Sequence, residues 1–115
     1  MLRAYRRIIA ASAIALAPNA FASETAVALH GFAQSSCGAW AATASRPAER
    51  QVILYWFRGF VSGVNYADSA HQITLDRMPD NDTLSLYIDK YCRDNPLNGF
   101  EPAAFGLVKG LRGGR

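Results

Sequence analysis

Cys37 and Cys92 are the only two thiols in the chain. Thiol oxidoreductases use a C-x-x-C pair, which is absent, so the expected chemistry is a structural bridge rather than disulfide exchange. If the bridge forms within one chain, its connectivity is unambiguous. It would close a loop of about 55 residues, and chain entropy alone would then give roughly 4 kcal/mol of stabilisation. The other reactive-looking strings read more blandly. Gly59-Phe60-Val61-Ser62-Gly63 resembles a nucleophile elbow, but that turn needs the serine central in G-x-S-x-G, between a strand and a helix. Here the serine falls one place late within a helical pattern, and helix packing accounts for it. Asp68 and His71 are spaced to share a helical face, with Asp76 nearby, so an acid–base pair or a metal site is conceivable. The simpler reading is a polar connection that happens to hold a histidine, and His30 beside Gly31 reads the same way. Asp80-Asn81-Asp82 starts like a calcium loop, but Leu84 stands where a third oxygen ligand belongs and Ser85 where the turn glycine belongs. These residues serve better as a helix N-terminus. The expectation is therefore no catalytic set, no metal and no cofactor.

Whether the thiols pair depends on the compartment. Residues 1–22 have the form of a secretion leader. Arg3, Arg6 and Arg7 precede an apolar run over residues 8–17, and Ala20-Phe21-Ala22 is an A-x-A cleavage site. The run is about half of the ~20 residues that span a bilayer, so no stable membrane insertion is expected after cleavage. Arg6-Arg7 invites a twin-arginine reading, but Tyr5 and Ile8-Ile9-Ala10 fit it poorly. The general secretory route, to the periplasm or beyond in a Gram-negative bacterium, is the expectation, and bridging is expected there. With 22 residues removed, 93 of the 115 remain, and the 12 basic residues fall to nine against nine acidic ones. A near-neutral chain has no electrostatic case for nucleic acid or anionic lipid.

The elements that position these residues read as all-α: a single small domain over residues 23–115, built as a bundle of three to four helices with one long-range disulfide. Residues 23–29 alternate weakly and fit an arm or a short strand that Gly31 breaks. Ser36 is placed to cap a short helix through Cys37 and Trp40 to about Thr43. Pro47 opens the central helix, residues 47–66, with Ile53, Trp56, Phe57, Phe60 and Val64 on one face and Val52 and Val61 widening it. Gly59, Gly63 and Ala67 form a smooth stripe that predicts a neighbouring backbone packed against it. Asp82 is placed to cap a helix over residues 83–93, whose Leu84, Tyr87, Ile88, Tyr91 and Cys92 form a full i, i+3, i+4, i+7, i+8 stripe. Asn98 and Glu101 resemble a capping box, with Pro102 in the first turn of a last helix. Ala104, Leu107, Val108 and Leu111 give that helix an apolar face, and Gly110 with the tail 113–115 is expected to fray.

Ten aromatic residues, from Trp40 to Phe105, exceed what so small a core can hold. Some should form an apolar surface patch of the kind that marks a protein partner. Tyr55, Tyr66 and Tyr87 are the candidates for its rim.

Three segments carry a resemblance: Cys37-Gly38-Ala39-Trp40, then the run from Trp56-Phe57-Arg58-Gly59 to Val64-Asn65, then Ile88-Asp89-Lys90-Tyr91-Cys92-Arg93-Asp94-Asn95-Pro96. Together they look like a family of small secreted proteobacterial proteins without a catalytic assignment. The arrangement is also similar to HdeA-like periplasmic proteins, small helical domains with one long-range disulfide, among them acid-activated chaperones. Gly59-Phe60-Val61-Ser62-Gly63-Val64 and the closing segment from Asn95-Pro96 to Leu107-Val108 resemble immunity proteins that neutralise type VI amidase effectors. These resemblances imply a non-enzymatic binding protein. One version is a stress chaperone, in which neutralised carboxylates leave nine basic groups and two histidines to loosen the fold in acid. The other is an inhibitor of a secreted cell-wall hydrolase, with a preformed surface at neutral pH.

Overall fold

The computed structural model describes residues 28–113. The expected leader, most of the 23–29 arm and the last two residues lie outside them. The described residues form four helices and no strand: α1 (Cys37–Ala42), α2 (Pro47–Ala67), α3 (Asn81–Asp94) and α4 (Phe100–Gly113). Two 3-10 turns, Gly31–Gln34 and Ser69–His71, flank them. No described helix is long and apolar enough to cross a membrane.

Each helix starts where local chemistry allows. The Ser36 side chain accepts from the Ala39 N–H at 3.1 Å and caps α1. Pro47 occupies the first turn of α2, where its missing N–H leaves no bond unmade. Helix α3 is capped two residues earlier than the sequence predicts. Asp80, not Asp82, accepts from the Thr83 N–H at 2.7 Å, which leaves Asp82 in the first turn as a charge complementing the dipole. The predicted capping box of α4 does not form. Asn98 donates instead to the Tyr91 hydroxyl. The helix opens at Phe100, whose N–H donates to Ser35 O at 2.9 Å. That bond and Cys37 N–H to Asn98 O at 3.1 Å bring the starts of α1 and α4 together at a bridge between Ser36 and Gly99. A Cβ on Gly99 would lie 2.7 Å from Ser35 O, so the approach needs glycine. At its far end α4 runs through Gly110 to Gly113 rather than fraying early.

The core forms where the apolar faces of the helices meet. Helix α2 contributes Ile53, Leu54, Phe57 and Val61, α3 contributes Leu84, Ile88 and Cys92, and α4 contributes Phe100, Ala103, Ala104, Leu107 and Val108. Trp40 from α1 is 1% exposed. Its indole N–H donates to Asp89 at 2.7 Å, and the Arg50 guanidinium lies 3.9 Å above its ring. The Cys37 and Cys92 sulfurs are at bonding distance, tying the first residue of α1 to the last turn of α3. Two assignments on α2 differ from expectation. Leu54 is buried while Val52 is 54% exposed, because several elements press on one side of α2 and rotate its buried arc away from Val52.

Candidate functional site

Helix α2 is 21 residues long, and at 3.6 residues per turn its two sides are cleanly separated. Ile53, Leu54, Phe57 and Val61 point into the core. The opposite side carries Val52, Tyr55, Gly59, Ser62, Gly63 and Tyr66, all exposed. Tyr66 is 93% exposed and Tyr55 64%. The only charged residue from Gln51 to Ala67 is Arg58. It folds back to donate to Asn81 Oδ1 and to Pro79 O, each at 2.6 Å. The outer face of the longest helix is therefore aromatic and small-residue in character, with no charge on it. Solvent-facing helix sides usually carry the charged residues.

This face continues onto α4. Phe105, 47% exposed, packs edge-on against Phe60 at 5.5 Å between ring centres. Phe60 in turn stacks on Trp56. Leu29, Phe60, Gly63, Val64, Ala67 and Phe105 line a shallow apolar groove of about 350 Å³. At its edge, the Trp56 indole N–H donates to His30 O at 2.9 Å. Gly31 passes so close beneath that ring, at φ 72°, that a Cβ would lie 2.8 Å from it.

The stripe of Gly59 and Gly63 does not receive a neighbouring backbone, contrary to its sequence reading. A Cβ built on either glycine meets nothing within 4 Å. A glycine in a helix interior costs about 1 kcal/mol relative to alanine, so two cost about 2 kcal/mol with no internal packing to explain them. Ser62 between them donates to Arg58 O at 3.0 Å. Among the described residues that is the one hydrogen bond its side chain makes.

Of the three predicted rim tyrosines, Tyr55 and Tyr66 share this face. Tyr87 stands apart on α3. Its hydroxyl donates to Ala103 O at 2.7 Å, its ring lies against Tyr91, and burial pushes its phenol up to about 12. It pins α3 to α4 and stays half-buried beside a second apolar groove lined by Pro79, Gly106 and Leu111.

A second cluster gathers polar groups at the end of α4. His71 Nδ1 lies 3.0 Å from Asp68 Oδ1. Arg112 donates to Asp68 Oδ2 and to His71 O, both at 3.2 Å, and Arg77 donates to Leu111 O. Asp76 does not join them: Thr74 holds its carboxyl below the usual range. The hydrogen bond from His71 holds the Asp68 carboxyl low in the same way. The His71 side chain is 74% exposed. These groups satisfy one another and tie the 3-10 turn to α4, and with Gln72 they line an open, solvent-facing cavity of about 360 Å³. Asp80 is likewise taken up by the α3 cap, and Asn81 by α2, where it bridges Arg58 and Gln51. Among the described residues, no group of three His, Cys, Asp or Glu side chains could hold a metal ion.

Tyr55 and Tyr66 were legible as surface candidates, whereas Val52, Gly59, Gly63 and Phe105 were not. The missed signal was the uncharged run along one side of α2, which an inward-looking search for core periodicity passes over. Taken together, the site is an uncharged helix face on a disulfide-stapled four-helix domain. The chain matches no family model, no curated protein and no solved structure.

Proposed function

We propose that this chain is a secreted, non-catalytic binding protein that docks a protein partner on the outer face of α2. The observation that carries the reading is the exposed, uncharged face from Val52 to Tyr66, continued by Phe105. At ~200 Å² per ring, the exposed parts of Tyr66, Tyr55 and Phe105 alone come to roughly 400 Å². That lies in the range of the largest apolar patches on soluble monomers, which are often functional. The face needs no acid to expose it. This supports a standing partner at neutral pH, in the manner of an inhibitor or immunity protein facing a secreted cell-wall hydrolase in the periplasm.

A second reading, an acid-activated chaperone of the HdeA-like kind, draws on a different observation. The carboxyls of Asp68, Asp76, Asp80 and Asp94 are all held below their ordinary value, so a set of local contacts would be lost together in strong acid. The two readings separate in one experiment: capture from periplasmic extract by the exported, oxidised protein at pH 7 and pH 3, beside Tyr66→Glu and, as a control on α3, Leu86→Glu. The inhibitor reading expects a hydrolase retained at pH 7 by the wild type and by Leu86→Glu, and released by Tyr66→Glu. Many clients bound only at pH 3, with their aggregation suppressed, would favour the chaperone. Capture indifferent to Tyr66→Glu at both pH values would remove α2 from the account.

A further inference from the structure

We infer that in the free protein the outer face of α2 is covered by a second copy of this chain, whose α2 crosses it antiparallel about a two-fold axis near residue 61. The inference rests on reading that face as a docking surface, and it names the occupant. A two-fold interface presents the same patch from both sides, so the patch must complement itself. Four residues of the face meet that condition in their spacing. Tyr55, Gly59, Ser62 and Tyr66 follow one another at steps of four, three and four, which reads the same in either direction. In an antiparallel pair, Gly59 of each helix meets Ser62 and Gly63 of the other, and Tyr55 of each lies beside Tyr66 and Ala67 of the other. Small residues then sit at the crossing point, where the backbones come closest, and large rings sit about 8 Å along each axis, where crossing helices diverge.

Three further observations fit a second copy on this face. The glycines have no role within the described fold, since a Cβ on either would stand in open space. A backbone arriving from outside supplies that role. The face carries no charge, and its nearest cation, Arg58, is held to Asn81 and Pro79. Two copies therefore meet without like-charge repulsion, whereas a charged partner finds nothing there to pair with. The Ser62 hydroxyl already donates to Arg58 O and is buried without losing a bond. At ~200 Å² per ring, the exposed parts of Tyr55 and Tyr66 offer roughly 300 Å² per copy, or about 600 Å² for the pair before the small residues between them are added. That is the small end for specific interfaces, so weak association, in the micromolar range or above, is expected.

Sedimentation equilibrium on the exported, oxidised full protein at pH 7, from about 1 to 500 µM, tests this. The expected result is a monomer–dimer equilibrium within that range. The double variant Gly59→Ala/Gly63→Ala improves the isolated helix, so its melting temperature at dilute concentration rises while its dimerisation weakens at least tenfold. Tyr66→Glu, which sets like charges across the axis, weakens it at least as much. Leu86→Glu on α3 leaves it unchanged. A monomer at every concentration overturns the inference, as does a dimer indifferent to both α2 variants. The outcome is separable from the proposed function. A monomer that still captures a hydrolase through Tyr66 refutes only the self-docking, and a Tyr66-dependent dimer that captures nothing refutes only the partner.

Discussion

Asn65 uses both ends of its side-chain amide on one residue. Its Nδ2 donates to Ile73 O at 2.9 Å, and its Oδ1 accepts from the Ile73 N–H at 2.8 Å. The clamp anchors the irregular connection between α2 and α3 and seats the Ile73 side chain, 5% exposed, in the core. Asn65→Ala would leave a backbone donor and acceptor without partners in a partly buried place, at a cost of about 1–3 kcal/mol. Asn65→Asp keeps the acceptor and loses the donor, and falls between. Urea denaturation of the two variants against wild type checks the order. Equal stability of all three would mean that water replaces the clamp. Nothing in the sequence pointed to this pair. Asn65 stood only as the end of the run that carries the resemblance, because its partner sits in a stretch without periodicity. The Arg58 bonds to Pro79 and Asn81 were hidden for the same reason.

Helices were legible where packing and period agree. The stripe of α3 fell where expected, with Leu84, Ile88 and Cys92 buried and Tyr87 and Tyr91 half-buried. The α2 face was read too far round at Val52 and not far enough at Leu54, since period fixes a side of a helix but not the width that its neighbours cover. Caps were less certain because adjacent acceptors compete: Asp80 and Asp82 are both suited to the role, and backbone geometry selects Asp80. That choice bears on acid stability. Hydrogen bonds from Thr83 hold the Asp80 carboxyl below its ordinary 3.8, and Lys90 does the same for Asp94. Groups depressed in the folded state contribute fully above their unfolded values and lose that contribution as pH falls through the folded ones. Stability should therefore be level from pH 7 to about 4 and decline below it. Asp80→Asn, which still accepts from Thr83 but does not titrate, should show a shallower decline over pH 4 to 2. Thermal melts across that range would show it, and an unchanged slope would place the acid sensitivity elsewhere.

At the scale of the whole molecule, the question is what keeps α1, six residues long, on the bundle. A helix so short has no independent stability in water. Beyond the backbone bridge between Ser36 and Gly99, two devices hold it. One is covalent: the bridge between Cys37 and Cys92 spans 55 residues of chain and restricts the unfolded ensemble by up to about 4 kcal/mol. The other is the packed cluster in which Asp89 accepts from the Trp40 indole at 2.7 Å while Arg50 covers the ring and lies 3.7 Å from Asp89. The bridge acts mainly on the unfolded chain and the cluster on the folded one, so their losses should add. A domain of this size has only about 5–10 kcal/mol in total, so reduction alone should leave a marginal fold and reduction with Asp89→Ala an unfolded one. Urea titrations of wild type and Asp89→Ala, each with and without reductant, would measure the four corners. If reduction shifted wild type by less than about 1 kcal/mol, the reduced chain would already be restricted as the bridge restricts it. The Trp40 cluster, not the cystine, would then be what fixes α1 in place.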